Sequence, residues 1–378
     1  MNKKNLIFGG LLASLMLFSS CDDEKKDEVL NDDSSSVAYT EVINDYVDKV
    51  VIPTYGDMKD KTSALLEAVE AFTESGTDAD LQAACDAWRA AREPWEESEA
   101  FLFGPAATYG LDPSLDSWPL DKVQINSFLN SSIEFDPEAL GSTVRGFHTL
   151  EYLLFENGKA RKASDITERQ KNYMVAVATG ISDDAFLLWY YWHGDRNLSS
   201  ADKERVEELE PDAANDGFGA RFKNANMFDQ AYKTQADVIG QIIDGCTDIS
   251  GEVGEQKIGG PFSTKQVEEV ESWYSWNSLD DYKHNILSIQ HSYLGTLSDK
   301  IGDLDKAGSA SSISGVVAGK NKKLDEQIRK AIKDAYNAVD AIPAPFRNNL
   351  NASSEIKNAM EKLAELTDVL EKVKEVIE

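Results

Sequence analysis

The sequence predicts an all-α protein built from two helical-bundle domains packed side by side. Apolar residues recur at helical spacing in four long segments of each half, and no stretch alternates as a strand would. Strong helix formers such as Ala, Glu, Leu and Lys are abundant, whereas prolines number only 10 in 378 residues. This length suits two domains of ordinary size. The matching layout of the halves suggests a duplication, although no clear sequence repeat is present.

Residues 1–20 have the pattern of a secretory signal peptide, with two lysines followed by an apolar run from Leu6 to Phe18. The run is too short to span a membrane. It ends in small residues before Cys21, which resembles a bacterial lipoprotein cleavage site. We therefore expect a lipid on Cys21 to anchor the protein at the outer membrane, on the periplasmic face or the cell surface. Ordinary cleavage that leaves a free cysteine is the alternative. Residues 21–36 are acidic and serine-rich, which predicts a flexible tether.

Residues 37–197 form the predicted N-terminal bundle. Its helices are expected at 37–72, from 77 or 78 to 102, at 145–156 and at 164–192. Pro53 should kink the first of them, because proline removes a helical hydrogen bond. Residues 104–135 are rich in turn formers and are predicted to be a long structured loop.

Two of these helices carry charges on faces that are otherwise apolar. Arg92 and Glu99 share a stripe with Trp88, and His148 and Glu151 lie one turn apart on another stripe. Burying an unpartnered polar group costs about 2–7 kcal/mol, and burying a charge costs far more. Each stripe must therefore meet a partner side chain, a metal ion or a ligand.

Residues 198–378 form the predicted C-terminal bundle, which follows a polar joint at 194–226. Its helices are expected at about 226–255, 263–298, 321–341 and 353–378, with a flexible loop at 307–319. A capping box, Ser263 and Gln266, predicts where the second of these helices begins.

The 263–298 helix is expected to carry a row of polar residues at spacings of three or four. The row comprises Ser272, Ser275, Ser278, Asp281, Asn285, Ser288 and Ser292. A solvated face is the plain explanation, but five large aromatic residues lie beside the row, and exposed helices rarely carry so many. Together with Trp88, Arg92 and Gly146, the first five residues of the row are predicted to line a ligand cleft.

The charge of the chain excludes one class of partner. A net charge of −29 would repel nucleic-acid phosphates, so nucleic-acid binding is not expected. The same charge could concentrate cations near the surface. Cys85 and Cys246 lie on apolar helical patterns, which predicts buried free thiols even in a compartment that permits disulfides.

His148 and Glu151 could hold a single metal ion together with a third carboxylate such as Glu99. Zinc or iron would suit these ligands. A conventional zinc peptidase is not indicated, because the inverted H-x-x-E-H signature needs histidine where the chain has Tyr152, and the chain has only four histidines. No Ser-His-Asp, P-loop or Rossmann pattern is present. A structural hydrogen-bonded His–Glu pair is the alternative.

Several motifs resemble those of the imelysin-like proteins, a family also filed as the M75 peptidases. The central one is Gly146-Phe147-His148-Thr149-Leu150-Glu151, which has the family's G-x-H-x-x-E form. The other matching segments are Pro53–Tyr55, Trp88–Arg92, Ser98–Phe101, Phe103–Pro105, Asp116–Pro119, Pro261–Phe262, Tyr274–Asn285 and Tyr293–Gly295. They extend over nearly the whole mature chain, and the leader is similar to that of Bacteroidetes-type members.

This resemblance implies two helical-bundle domains with the motif near their interface, a location in the cell envelope and an association with iron uptake. Three hypotheses follow. In the first, the protein binds a metal ion, haem or another small ligand in an interdomain cleft and works with an outer-membrane uptake partner. In the second, it is an M75-type metallopeptidase using His148 and Glu151. In the third, it is a structural, partner-docking lipoprotein.

Overall fold

A π-helical turn interrupts the first long helical segment just before Pro53. The computed structural model describes residues 33–212, 215–225, 232–298 and 301–378, without the side chains of residues 33–38 and Glu138. Helix α1 (Asp33–Tyr46) leads into a π-helical turn (Val47–Val51) and then into α2 (Ile52–Ser75). Pro53 is the second residue of α2 and directly follows the π-helical turn, in which the Ile52 N–H donates to the Val47 carbonyl. At the place of the predicted kink the structure thus has a π-helical turn, which changes the hydrogen-bond spacing ahead of the proline.

The remaining elements confirm the all-α class. In the first half they are α3 Asp78–Glu96, α4 Pro105–Thr108, α5 Leu111–Asp116, α6 Lys122–Leu129, α7 Gly146–Leu154 and α8 Glu168–His193. In the second half they are α9 Ser200–Leu209, α10 Gly217–Lys223, α11 Gln235–Glu252, α12 Gly259–Thr264, α13 Ser278–Leu294, α14 Ile313–Asp340, α15 Ser353–Leu370 and α16 Lys372–Ile377. In the described part of the chain, the only sheet is a hairpin of two-residue strands, β1 (Phe155–Glu156) and β2 (Lys159–Ala160).

Most long helices pack against others of the same half, although α10 packs against α8. Helix α2 packs against α3 and α8, whereas α11, α13, α14 and α15 pack together. Helix α13 also packs against α3, and the buried apolar residues form one continuous core. Residues 34–378 form one compact unit, so the boundary between 197 and 198, and the duplication, stay predictions. The signal peptide, Cys21 and most of the tether lie outside the described residues.

Several predicted loops contain short helices. Residues 104–135 include α4, α5 and α6, and the polar joint at 194–226 includes α9 and α10. Helix α14 begins inside the predicted 307–319 loop, because the Ser312 hydroxyl accepts from the Gly315 N–H and caps it. Helix α11 begins only at Gln235, after a capping box formed by Thr234 and Asp237.

The predicted helix at 263–298 is wrong over its first half. Ser263 lies inside α12 and bonds back to the Gly259 carbonyl instead of capping a new helix. Residues 265–277 form an irregular segment, which we call the 265–277 loop, and a helix resumes only at Ser278. Ser272 and Trp276 have left-handed φ angles of 51° and 63°, which no helix tolerates. Serine side chains in this loop bond to buried partners rather than following helical periodicity.

Two further observations concern the membrane and the thiols. In the ranges that the structure describes, no helix is long and apolar enough to cross a bilayer. Cys85 and Cys246 are buried free thiols, as predicted. Burial raises the pKa of each thiol to about 12, so both are inert near neutral pH.

Candidate metal centre

Gly146 brings the start of α7 against the end of α5. Its φ is 78°, and a Cβ at this position would lie 2.3 Å from the Leu115 carbonyl oxygen. Only glycine accepts both the left-handed backbone and this approach. The residue after Leu115 is Asp116, and the second residue after Gly146 is His148. The glycine of the G-x-H-x-x-E motif therefore places a carboxylate beside the imidazole.

Both ring nitrogens of the buried His148 face carboxylates. Nδ1 lies 3.2 Å from Glu151 Oε2, one turn along α7. Nε2 lies 3.1 Å from Asp116 Oδ1 and 3.3 Å from Glu271 Oε1 in the 265–277 loop. One ligand atom from each of Asp116, His148 and Glu271 lies within 4.8 Å of the other two. We call these three residues the metal triad.

Arg92 lies at the centre of the surrounding network. Its fully buried guanidinium contacts Glu96 and Asp116, lies 3.0 Å from Glu271 Oε1 and approaches Asp281 Oδ2 at 3.6 Å. Trp95 donates to the second oxygen of Asp116 at 2.7 Å. One cation is thus shared by four carboxylates, two of which belong to the metal triad.

The predicted serine row does contact α7, the helix of the G-x-H-x-x-E motif, but it does so from the 265–277 loop. Ser275 donates through its backbone N–H and its hydroxyl to Glu151 Oε1, at 2.8 and 2.7 Å. Ser272 donates to Asp281, and Ser278 donates to the Glu271 carbonyl at 2.6 Å. Asn285 donates to Glu96 Oε2 at 2.5 Å. These residues fix the carboxylates of the network.

Glu99 lies apart from the His148–Glu151 pair. Its partner is Lys257, whose Nζ is 3.4 Å from Glu99 Oε1 and 3.2 Å from Glu271 Oε2. Glu96, Glu99 and Asp116 form a second group with ligand atoms within 4.8 Å of one another. Of the three metal ligands predicted from sequence, the structure brings His148 and Glu151 together and places Glu99 beyond Asp116.

The acidic side chains in this cluster differ in their pKa values, so some are ionised and others protonated at neutral pH. Burial would raise the pKa of Glu271, but the Lys257 charge and the hydrogen bond with His148 lower it to about 2. Burial opposes the charge on His148, yet Asp116 raises the pKa of the imidazole well above its usual value. For Glu99, burial dominates and raises the pKa to about 8, although Lys257 opposes the shift. At neutral pH the metal triad is therefore an imidazolium between two carboxylates.

This arrangement fits a metal ion in place of the proton on Nε2. With bonds of about 2.0–2.2 Å, neighbouring ligand atoms lie about 2.9 Å apart in an octahedral shell and about 3.4 Å apart in a tetrahedral one. The two Nε2–oxygen distances, 3.1 and 3.3 Å, fall between these values. Each carboxylate oxygen has two lone pairs, so the Arg92 contact leaves one free on Asp116 Oδ1. Glu271 Oε1 also accepts from Lys257 Nζ at 3.5 Å, a long bond that an ion would replace. Glu151 would then orient His148 through Nδ1, as carboxylates behind metal-bound histidines do.

A cavity of about 240 Å³ reaches this cluster. Its lining includes Glu99, Asp112, Asp116, Glu252, Glu269 and Glu271, against a single lysine, Lys257. Trp118 lines it too, and its ring packs edge-on to His148 with centroids 4.8 Å apart. The eight residues predicted to line a ligand cleft are buried behind this cavity and are absent from its lining. Trp88, for example, anchors α7 by donating to the Phe147 carbonyl at 3.0 Å.

Comparison with known proteins identifies the family. The sequence model of the family described as Peptidase_M75, Imelysin, matches residues 51–373. The chain belongs to the imelysin family. The resemblance drawn from the motifs is thereby confirmed. A curated relative, iron-regulated protein A of Synechococcus elongatus, is 27% identical over 359 residues, covering 94% of this chain and 88% of the relative.

Solved structures support the same membership and fold. An iron-regulated protein A precursor from Parabacteroides distasonis superposes with a TM-score of 0.81 at 34% identity, over 91% of this chain and 96% of that one. An imelysin-like protein from Psychrobacter arcticum superposes with a TM-score of 0.60 at 12% identity, over 89% and 93% of the two chains. The second likeness shows that the imelysin fold is kept when the sequences have diverged widely.

Proposed function

We propose that this imelysin-family protein binds one transition-metal ion, iron or zinc, through His148, Asp116 and Glu271. The observation that carries the proposal is the position of His148 Nε2, which faces two carboxylate oxygens while Nδ1 faces a third carboxylate. Nitrogen with carboxylate oxygens is a donor set suited to iron(II) and zinc(II). A bound ion would neutralise part of the excess negative charge of the cluster.

The acidic cavity supports an ion rather than a large organic ligand. Its volume of about 240 Å³ is below the roughly 300–1,000 Å³ typical of pockets for drug-sized molecules. The acidic side chains of its lining that are ionised, such as Asp116 and Glu271, raise the local concentration of cations. Haem is therefore not proposed. The family description includes the word peptidase. The contacts described for the cluster do not by themselves support peptide hydrolysis, so hydrolysis is not part of the proposal.

We also propose that the protein serves iron acquisition in the cell envelope. The names of the relatives, which call them iron-regulated, support the link with iron. The leader and Cys21 support a lipid anchor at the outer membrane, where an uptake partner would exchange the ion. Replacing Cys21 with serine is expected to move the protein from the membrane fraction to the soluble fraction of fractionated cells. Membrane retention of Cys21→Ser would refute the anchor.

Metal titration of purified protein tests the proposed site. The wild type is expected to bind one iron(II) or zinc(II) ion, and Glu271→Gln and His148→Ala are each expected to bind it at least about 100-fold more weakly, since each removes a ligand. Asp281→Asn is the matched control, because it removes a buried charge beside Arg92 without removing a ligand. Equal affinity in all four proteins, or no binding in the wild type, would contradict the proposal.

A further inference from the structure

A second cavity, of about 450 Å³, shares no lining residue with the acidic one. It lies among α7, the β-hairpin, the 265–277 loop and the segment before α15. Four aromatic side chains, Tyr152, Phe155, Trp273 and Tyr274, and two arginines, Arg161 and Arg347, contribute to its lining. We call it the arginine–aromatic cavity. Glu156 is the one acidic residue of its lining, so the cavity combines flat apolar surfaces with two positive charges and one negative charge, whereas the lining of the acidic cavity has six acidic residues and one lysine.

In the described part of the chain, Arg161 and Arg347 pair with no carboxylate, as is also true of Arg89, Arg169 and Arg221. Arg161 donates from Nη1 to the Leu153 carbonyl at 3.1 Å, and Arg347 donates from Nη1 to the Trp273 carbonyl at 3.1 Å. Within the described ranges, no carboxylate oxygen lies within 4.0 Å of either guanidinium. By contrast, Arg145 and Arg205 each form an ion pair. Two arginines without a carboxylate pair thus lie at this one cavity, in a chain with 67 acidic and 38 basic residues.

Arg347 is also fixed in place while part of its hydrogen-bonding capacity is unused. Its guanidinium lies 4.1 Å from the centre of the Trp273 ring, a cation–π contact that orients the side chain. Its Nε is buried, and no described atom accepts a hydrogen bond from it. Trp273 and Tyr274 have ring centroids 4.4 Å apart, and Tyr152 packs on Tyr274 at 5.2 Å. The cavity therefore presents ordered rings beside a guanidinium that is held in place, and a ligand would bond to its Nη atoms because Nε is buried.

We infer that the arginine–aromatic cavity binds a small planar aromatic carboxylate. A carboxylate is the anion whose two oxygens match the fork of a guanidinium, and Arg161 and Arg347 would supply that contact. The ring of the ligand would pack against Trp273, Tyr274 and Tyr152, which favour offset or edge contacts with another ring. The volume of about 450 Å³ lies within the range found for small-molecule sites. This inference does not depend on metal binding, because the two sites use different residues.

Saturation-transfer NMR and calorimetry with 2-naphthoate and 2-naphthamide test the inference. The two probes have the same ring and nearly the same shape, but only the carboxylate carries charge. The metal-free wild type is expected to bind 2-naphthoate at least about tenfold more tightly than 2-naphthamide, since only the carboxylate pairs with the guanidinium groups. Equal binding of the two probes, or no binding of either at millimolar concentration, would overturn the inference. This comparison needs no variant, so it stands even if a substitution disturbs folding.

Matched variants locate the binding. Arg347→Gln and Arg161→Gln are each expected to weaken 2-naphthoate binding at least about fivefold while leaving 2-naphthamide within about twofold. Arg196→Gln is the control, because Arg196 is exposed and pairs with Asp216 elsewhere on the surface. It is expected to leave both affinities unchanged. If Arg347→Gln and Arg161→Gln, both folded by circular dichroism, bind 2-naphthoate as the wild type does, the cavity is not the site.

Discussion

Replacing Arg92 with methionine is expected to lower the free energy of unfolding of the metal-free protein by about 3–5 kcal/mol. Arg92 is fully buried and contacts Glu96, Asp116, Glu271 and Asp281. Methionine has a similar length, so little volume is lost, but the carboxylates lose the one cation that they share. An uncompensated buried charge costs more than the ion pair itself contributes, which is why removal of one partner is so destabilising.

Urea denaturation followed by circular dichroism measures this effect. Arg196→Met is the control, because its exposed pair with Asp216 is expected to contribute no more than about 1 kcal/mol. Arg92→Lys should fall between the two, since lysine restores the charge without the planar fork that reaches several carboxylates. A loss below about 1 kcal/mol for Arg92→Met would mean that the carboxylates are neutral or hydrated, and that Arg92 does not hold the cluster together.

Metal affinity is expected to rise about tenfold for each pH unit between pH 6 and 7.5. Asp116 raises the pKa of His148 well above its usual value, so Nε2 of the metal-free protein carries a proton throughout this range. An ion can bind Nε2 only after that proton leaves. The proton on Nε2 therefore competes with the metal ion. Lowering the pH favours the proton and weakens metal binding, and raising the pH favours the metal ion until the folded-state pKa of His148 is reached.

Calorimetric titration with zinc in two buffers of different ionisation enthalpy counts the released protons. We expect about one proton per ion. Glu271 and Asp116 release none, because the pKa of each is already lowered far below neutral pH by neighbouring cations, despite burial. An affinity that does not change with pH, with no proton released, would show that His148 Nε2 is not a ligand.

The sequence predicted the helices that bear the site better than the site itself. The apolar stripes of α3 and α7 were interrupted by Arg92, His148 and Glu151, and all three are buried in one network. This worked because helical periodicity is local. A charge on an apolar stripe must acquire a partner whatever the rest of the fold is.

Asp116 and Glu271, which contact His148 and Arg92 from outside α3 and α7, could not be predicted in the same way. Glu271 lies in a stretch whose local signals favour a helix, yet it belongs to an irregular loop in which it contacts Arg92, His148 and Lys257, all distant from that helix signal in sequence or outside its pattern. Asp116 ends a short helix within a segment rich in turn formers, and its role depends on the approach of Gly146. The D-S-W-P motif at Asp116 was the one signal that could have identified it. The serine row was predicted on one helix, but Ser272 and Ser275 lie in the 265–277 loop and only the residues from Ser278 onward lie on α13. That the row lines a ligand cleft stays a prediction.

Anomalous diffraction from crystals of the protein soaked with zinc or iron(II) tests the central claim most directly. We predict one strong peak at the absorption edge of the metal, about 2.0–2.2 Å from His148 Nε2 and from a carboxylate oxygen of Asp116 and of Glu271. Glu151 should remain bonded to Nδ1 and to Ser275, outside the coordination shell. A fully occupied peak between Glu96, Glu99 and Asp116, or no peak at His148 in protein that binds the ion in solution, would contradict the account.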